Sequence, residues 1–126
     1  FDTSILIALE RNDKDIMKKL EELYRRFPFA PQLPFFSYFE FLTGIKLRTP
    51  KNKEKTIHFI NKFKRIHTTD YSAEILSELK IKYDKKGIPF SLGDLLIAAQ
   101  TIENNLILVT RDKDFEKIDE LKKIIL

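Results

Sequence analysis

Residues 91–115 read SLGDLLIAAQTIENNLILVTRDKDF, and this stretch decides the fold. Ser91 precedes a nearly all-apolar segment over residues 95–102, which predicts a buried helix that begins close to this serine. Residues 106–110 form a continuous apolar run, which is typical of a strand covered on both faces in a parallel sheet. A buried helix that leads into a buried strand predicts an α/β domain with a mainly parallel sheet.

Short strands and longer helices continue on both sides of this stretch. Residues 13–27 carry apolar positions at helical spacing, which predicts an amphipathic helix, and a second helix is predicted from near Ser37 to residues 44–47. Residues 65–67 and 122–126 predict short strands, and residues 49–52 (TPKN) predict a surface connection.

The remaining elements complete a single domain. Thr69 and Gly87 predict the two ends of a further helix, whose apolar stripe includes Ala73, Leu76, Leu79 and Tyr83. Phe1 and Asp2 resemble the end of a strand. We therefore expect one domain over residues 1–126, with a first strand that is truncated at the N-terminus.

The composition is that of an ordered, cysteine-free domain. Of its 126 residues, 43% are hydrophobic and 12% are aromatic, and this apolar content excludes intrinsic disorder. The lack of cysteine excludes disulfides, thiolate metal sites and cysteine nucleophiles, and it suits a reducing compartment such as the cytoplasm. No apolar run approaches the roughly 18 residues of a membrane span, so we expect no membrane association. The formal charge of +4 is a weak indication of phosphate polymers as partners.

Acidic side chains recur where the predicted strands lead into the following segments. Asp2 follows the first strand, Glu40 and Asp94 lie in the first turns of two helices, and Asp112 and Asp114 follow the strand of the opening stretch. Ligands of parallel α/β sheets bind at this carboxyl edge of the strands. Clustered carboxylates repel one another without a cation, and their hard oxygen atoms suit Mg²⁺ or Mn²⁺. The pattern therefore favours a site for one or two divalent ions.

The same acids also fit purely structural roles. Ser37 with Glu40, and Ser91 with Asp94, match the capping-box pattern, in which the acid accepts a backbone N–H at the start of a helix. Asp2 fits the first turn of a helix, where a negative charge complements the helix dipole. The residues alone leave both interpretations open.

Four stretches resemble the motifs of PIN domains, a family of Mg²⁺- or Mn²⁺-dependent ribonucleases. They occur in the order typical of the family and extend over nearly the whole chain: DTSILI at residues 2–7, FEFLTG at residues 39–44, GDLLIAA at residues 93–99 and VTRDKDF at residues 109–115. The third is the most specific of the four. The resemblance implies a three-layer α/β/α sandwich around a five-stranded, mainly parallel sheet, with the acids converging on the metal.

The resemblance also implies which residues carry the chemistry. The implied reaction is metal-assisted hydrolysis of RNA phosphodiester bonds, with Mg²⁺ or Mn²⁺ as cofactor. The implied catalytic acids are Asp2, Glu40, Asp94 and Asp112. Of these, Asp2 and Asp94 would bind the principal ion, and Glu40 and Asp112 would hold a second ion or orient water. The alternative fourth acid is Asp114, and the candidates for substrate contact are Thr3, Ser4 and Arg111.

Partners follow from the same resemblance. Small single-domain PIN proteins are most often VapC-type toxins, which implies an RNA substrate, a VapB-like antitoxin and a homodimer. A housekeeping RNA-processing nuclease, and an inactive PIN-fold module that binds RNA or protein, are the alternatives. Part of the aromatic cluster on the second helix then fits an interface with the antitoxin or a second copy: Phe35, Phe36, Tyr38, Phe39 and Phe41.

Overall fold

Helices and strands alternate along the chain in a computed structural model that describes residues 1–48, 51 and 53–126. The helices are α1 (Thr3–Glu10), α2 (Lys14–Arg26), α3 (Phe35–Arg48), α4 (Lys53–Ile60), α5 (Asp70–Lys85) and α6 (Leu92–Glu103). The strands are β1 (Gln32–Pro34), β2 (Lys64–Ile66), β3 (Leu108–Thr110) and β4 (Lys123–Ile125). A short 3-10 helix, Lys113–Lys117, lies between β3 and β4. Apart from Lys51, the surface connection predicted at residues 49–52 lies outside the described residues.

The helix and strand of the opening stretch form as predicted. Ser91 caps α6, because its hydroxyl oxygen accepts the N–H of Asp94 at 3.1 Å. Most of α6 is buried, including Leu95, Ile97 and Ala98. All three residues of β3 are buried as well. The apolar composition of both elements therefore matches their place at the centre of the molecule.

Helices cover both faces of β3. Because successive strand residues point to opposite faces, Leu108 and Val109 belong to different parts of the core. Leu108 packs with residues of α5 and α6, whereas Val109 packs with residues of α1 and α2. This is the layered α/β/α arrangement expected from the sequence.

The strands form two parallel pairs, β1 with β2 and β3 with β4. The predicted count of five strands is not confirmed, since the described residues form four. Phe1 and Asp2 lie between the two pairs. The amino group of Phe1 donates to the Gln32 carbonyl at 2.8 Å, and the N–H of Asp2 donates to the Val109 carbonyl at 3.3 Å. One hydrogen bond to each side is too little pairing to make these residues a strand.

Two local predictions are wrong in detail. Helix α3 begins at Phe35, directly after β1, so Ser37 lies inside the helix, fully buried, and does not cap it. On α5 the buried face contains Ser72, Ile75, Leu79 and Tyr83, whereas Ala73 is exposed. The buried face of α5 therefore includes Ser72 instead of Ala73, because residues as small as serine and alanine can lie on either the buried or the exposed face of a helix.

The ends of α5 agree with the sequence. Thr69 caps it in a capping box with Ser72, and Gly87 follows it in the left-handed region with φ of +70°. No helix in the described part of the chain is long and apolar enough to cross a membrane.

Candidate metal centre

Asp2 is held between α1 and β3 by hydrogen bonds to both of its carboxylate oxygens. The Ser4 hydroxyl donates to Oδ1 at 2.6 Å, and the Thr110 hydroxyl donates to Oδ2 at 2.6 Å. Asp2 is only 5% exposed. Burial raises the pKa of its carboxyl above the usual range, although the two hydroxyl hydrogen bonds act in the opposite direction.

The two hydroxyls are themselves fixed by the backbone of the following turn. Ser4 Oγ accepts the N–H of Arg111 at 3.0 Å, and Thr110 Oγ1 accepts the N–H of Asp112 at 2.9 Å. Each hydroxyl therefore accepts one hydrogen bond and donates another to Asp2. These two chains of hydrogen bonds link the orientation of the Asp2 carboxylate to the backbone of the turn after β3.

Glu40 is connected to the region of Asp2 by Thr3, the first residue of α1. The hydroxyl of Thr3, the neighbour of Asp2, donates to Glu40 Oε1 at 2.8 Å. Glu40 is exposed on α3, and it does not form the capping box with Ser37, because the helix begins upstream of both residues. Its second oxygen is therefore not engaged in capping.

Asp94 lies in the first turn of α6, half-buried and within the field of the other acids. Burial raises the pKa of the Asp94 carboxyl above its usual range. The Ser91 hydroxyl partly offsets this effect, but the negative charges of three other acids raise the pKa further: Asp112, Glu40 and Asp2. Asp94 is therefore near enough to three acids from distant parts of the sequence for their charges to act on it.

Asp112 and Asp114 differ in their relation to this neighbourhood. Asp112 caps the 3-10 helix, where its Oδ1 accepts the N–H of Asp114 at 2.9 Å. Asp112 is half-buried and is one of the charges that act on Asp94. Asp114 is exposed in the first turn of the 3-10 helix. Of these two acids, Asp112 is therefore the one whose charge acts on Asp94.

The carboxylate oxygens of these acids suit a divalent cation, although the acids are not close enough together to enclose one. Across the described ranges, no three histidine or acidic side chains are close enough together to hold a metal ion. Burial is the main cause of the raised pKa of Asp94, and the charges of the other acids add to it, because charge acts over longer distances than a ligand bond. Oxygen donors with excess negative charge fit Mg²⁺ or Mn²⁺.

The three candidates for substrate contact all have partners within the chain. Thr3 binds Glu40 and Ser4 binds Asp2, so both hydroxyls serve the acids. The Arg111 guanidinium forms an ion pair with Asp13 at 3.2 Å and remains 45% exposed. This pair joins the cap of α2 to the turn after β3.

Sequence reasoning missed Thr110 as a residue of the site. Its position directly before Arg111 and Asp112, at the end of a buried strand, was the available signal. A threonine that ends a buried strand, with a completely buried side chain, needs a hydrogen-bond partner, and here that partner is Asp2.

The family of this chain follows from comparison with known proteins. The sequence profile of the PIN domain matches residues 1–121. The chain belongs to the PIN domain family. Comparison with curated protein sequences gives no match.

Solved structures share the fold of this PIN domain over almost its full length. VapBC2 from Rickettsia felis, crystallised with a DNA fragment from its promoter, has a TM-score of 0.81 and 24% identity, and the match covers 99% of this chain and 96% of that one. A toxin–antitoxin complex from Klebsiella pneumoniae has a TM-score of 0.76 and 26% identity, with 96% and 92% covered. DNA-bound VapBC from Salmonella typhimurium has a TM-score of 0.80 and 18% identity, with 98% and 94% covered.

Proposed function

We propose that this PIN domain is a divalent-metal-dependent endoribonuclease that hydrolyses RNA phosphodiester bonds. The observation that carries the proposal is that Asp2, Glu40 and Asp112 all act electrostatically on Asp94, while none of the four acids forms an ion pair with lysine or arginine among the described residues. Like charges that are held near one another without compensation destabilise the fold, so a cation is the simplest reason for keeping the four acids together.

Mg²⁺ or Mn²⁺ is the cofactor that fits these donors. We assign Asp2 and Asp94 to the principal ion, and Glu40 and Asp112 to a second ion or to ordered water, with Asp114 as the alternative for the fourth acid. When bound, such an ion lowers the pKa of water and neutralises charge that develops on a phosphodiester. All four acids offer carboxylate oxygens, the kind of ligand that Mg²⁺ prefers.

The chain's own hydroxyl groups orient two of the acids. Ser4 and Thr110 donate to the two oxygens of Asp2, which leaves further lone pairs of the carboxylate for a cation. Thr3 holds one oxygen of Glu40 in the same way. We therefore reassign Thr3 and Ser4 from substrate contact to positioning of the acids. Arg111 stays a candidate for a backbone phosphate, because its guanidinium is partly exposed beside the site.

We further propose that the protein is the toxin of a VapBC-type pair, with a VapB-like antitoxin as partner and a homodimer as its assembly. The similarity to toxin–antitoxin structures supports this assignment. The aromatic rings of α3 add support, since Phe35 and Phe39 are 45% and 51% exposed close to Glu40, whereas Phe41 is buried. An RNA substrate and a cysteine-free chain are consistent with the cytoplasm as its location.

Two alternatives make different predictions. A housekeeping RNA-processing nuclease would use the same acids but would cleave without an antitoxin to restrain it in the cell. An inactive PIN-fold module would bind RNA or protein with no requirement for the ion. Retention of all four acids favours an active enzyme over such a module.

The test is cleavage of a mixed pool of structured and single-stranded RNAs by the purified chain with Mg²⁺, with Mn²⁺ and with excess chelator. We expect cleavage with either ion and none with chelator. Asp112→Asn and Asp114→Asn are compared in the same assay, and we expect the larger loss from Asp112→Asn. Cleavage that persists in chelator, or saturating Mn²⁺ that produces neither binding heat nor cleavage, would contradict the proposal.

A further inference from the structure

Positive charge is concentrated in one stretch of the chain, residues 46–65. This stretch contains eight lysines and arginines and a single acid, Glu54, which gives it a net charge of +7. The remaining residues contain fifteen lysines and arginines and eighteen acids, which gives them a net charge of −3. The excess of positive charge on the whole chain therefore comes from this stretch alone.

The stretch forms one continuous part of the fold. It comprises the end of α3, all of α4 and the first two residues of β2. Ile60 of α4 packs in the same core cluster as Ile45 of α3, so the two helices lie side by side with their charges outward. We call the exposed or half-exposed cations of this stretch the basic face: Lys46, Arg48, Lys51, Lys53, Lys55, Lys62, Lys64 and Arg65.

Almost none of these cations has an acidic partner. In the part of the chain that the structure describes, the one ion pair of the basic face joins Arg48 to Glu10 at 2.7 Å. On α2 and α5, by contrast, some lysines pair with acids one turn away, as Lys80 does with Asp84 at 2.7 Å. Like charges that are left uncompensated attract a polyanion and release counterions when it binds.

The basic face meets α3 close to an acid of the candidate metal centre. The Arg65 guanidinium carbon lies 4.1 Å from the centre of the Tyr38 ring, and the guanidinium also donates to Asn61. Tyr38 is two residues before Glu40 on α3, which places the two side chains on opposite sides of a helix about 10 Å across. A flexible chain bound at Glu40 can therefore reach Arg65 by crossing the outer side of α3.

We propose that the basic face binds backbone phosphates of the RNA substrate away from the bond that is cut, and so holds the flanking part of the strand. The charge pattern calls for a polyanion, and the choice of RNA rests on the proposed function. An acidic protein surface is the other candidate. Six of the eight cations are lysines, which are depleted in protein–protein interfaces and common on nucleic-acid-binding surfaces.

This role has a measurable signature in the salt dependence of RNA binding. Contacts to phosphates add affinity without reading sequence. Each phosphate neutralised on a single strand adds about 0.7 to the slope of log affinity against log salt concentration. Removal of three cations from the basic face should therefore lower this slope by about 2.

The experiment compares the parent chain with two triple variants that lose the same charge. The basic-face variant replaces exposed lysines whose side chains form no ion pair or hydrogen bond with other described residues: Lys53→Gln, Lys55→Gln and Lys62→Gln. The matched control replaces exposed lysines of α2 and α5: Lys18→Gln, Lys19→Gln and Lys85→Gln. Circular dichroism checks the fold of each protein.

Fluorescence anisotropy then measures the binding of a labelled oligouridylate of about 20 nucleotides over a range of KCl concentrations. The titrations are made in chelator, so that the RNA stays intact. The empty acids repel RNA equally in all three proteins, and the comparison therefore isolates the basic face.

We expect the basic-face variant to bind at least about tenfold more weakly than the parent at low salt, with the smaller slope. The control should stay within about threefold of the parent. Equal losses in the two variants, or unchanged binding by the basic-face variant, overturns the inference. Polyglutamate that competes as well as unlabelled oligouridylate overturns the choice of RNA.

The inference and the proposed function fail separately. Weaker RNA binding by the basic-face variant, together with no cleavage of any RNA by the parent, supports the basic face and contradicts the proposed nuclease. Metal-dependent cleavage by the parent, together with equal binding in all three proteins, supports the nuclease and contradicts the basic face.

Discussion

At the scale of single residues, the side chain that organises the site is a threonine and not an acid. Thr110 connects the N–H of Asp112 to the carboxylate of Asp2, and Ser4 makes the equivalent connection from the N–H of Arg111. Both hydroxyls act on a carboxylate that is almost fully buried. Hydrogen bonds that orient a metal ligand commonly set its affinity as much as its identity does.

Thr110→Val tests this role with little change in side-chain volume. It removes the donor to Asp2 Oδ2 and the acceptor for the Asp112 N–H, so we expect Mn²⁺ affinity to fall by about 10- to 100-fold while the circular dichroism spectrum is retained. The measurement is calorimetric titration with Mn²⁺.

The matched control is Thr43→Val. Thr43 donates only to the Phe39 carbonyl within α3 and is exposed, so its replacement should leave the affinity within about twofold. An unchanged affinity in Thr110→Val, or equal losses in both variants, would contradict the positioning role.

The raised pKa values of Asp2 and Asp94 predict how stability depends on pH when no metal is bound. A carboxyl with a raised pKa in the folded state favours its protonated form there. Its contribution to the free energy of unfolding is complete below the unfolded-state pKa and is lost as the pH rises through the folded-state pKa. The metal-free protein is thus penalised at neutral pH.

Asp94→Asn should therefore stabilise the metal-free protein at pH 7. We expect a higher thermal midpoint than that of the parent chain in chelator, and a smaller decline in the midpoint between about pH 5 and 7. Asp70→Asn, which changes an exposed acid in the first turn of α5, controls for general charge effects. A parent midpoint equal to or above that of Asp94→Asn in chelator at pH 7 would argue against repulsion among the acids.

At the scale of elements, the distance between Glu40 and Asp94 depends on how closely α3 approaches α6. Gly93 permits this approach, because the Phe36 ring occupies the space that a Cβ would take. Phe36 in turn lies against Phe39, with 5.7 Å between the ring centroids. A single small residue therefore sets the contact of the two helices that carry these acids.

Gly93→Ala should push the Phe36 ring away and separate α3 from α6. We expect a loss of about 1–3 kcal/mol in the free energy of unfolding, together with weaker Mn²⁺ binding. Gly44→Ala is the control, since the nearest atom to a Cβ there is Arg48 Nε at 4.0 Å and α3 gains about 0.5–1 kcal/mol from alanine. The unfolding free energies come from urea titrations, and similar values for the two variants would exclude close packing at Gly93.

The same elements show what a sequence can reveal. Helix α6 and strand β3 were predictable because composition decides them: a helix or strand that is apolar on every side has to be buried. The start of α3 was not, because the serine–acid spacing of Ser37 and Glu40 mimics a capping box inside the helix. The helix begins instead where β1 ends, and that boundary depends on tertiary packing.

The acids of the candidate site could be proposed from the sequence, but their hydrogen-bond network could not. The order of the elements places Asp112 directly after β3, whereas no strand of the described residues leads into Asp2 or Asp94. The hydrogen-bond partners could not be predicted from the sequence, because the Arg111–Asp13 pair and the Asp2–Thr110 hydrogen bond join residues about 100 positions apart. Such contacts depend on side-chain rotamers in the folded chain, and no local pattern encodes them.

At the scale of the whole molecule, a chain with a net positive charge carries a local group of acids. The chain has a formal charge of +4, while the four acids create a local negative region that would repel an RNA without a cation. Under the proposed function, bound divalent ions would reverse that local sign, and both the recruitment and the cleavage of RNA would depend on the metal. Substitution of the acids therefore tests the proposed function most directly.

The most direct test is Mg²⁺-dependent RNA cleavage by the parent chain and by Asp94→Asn, run side by side with Asp70→Asn. The asparagine keeps the side-chain shape and one oxygen but removes the charge that a cation requires. We predict that Asp94→Asn folds, shows the higher metal-free midpoint described above, and loses cleavage by at least about 100-fold, while Asp70→Asn cleaves like the parent. Undiminished Mg²⁺-dependent cleavage by Asp94→Asn would contradict the assignment of the acid cluster as the catalytic metal centre.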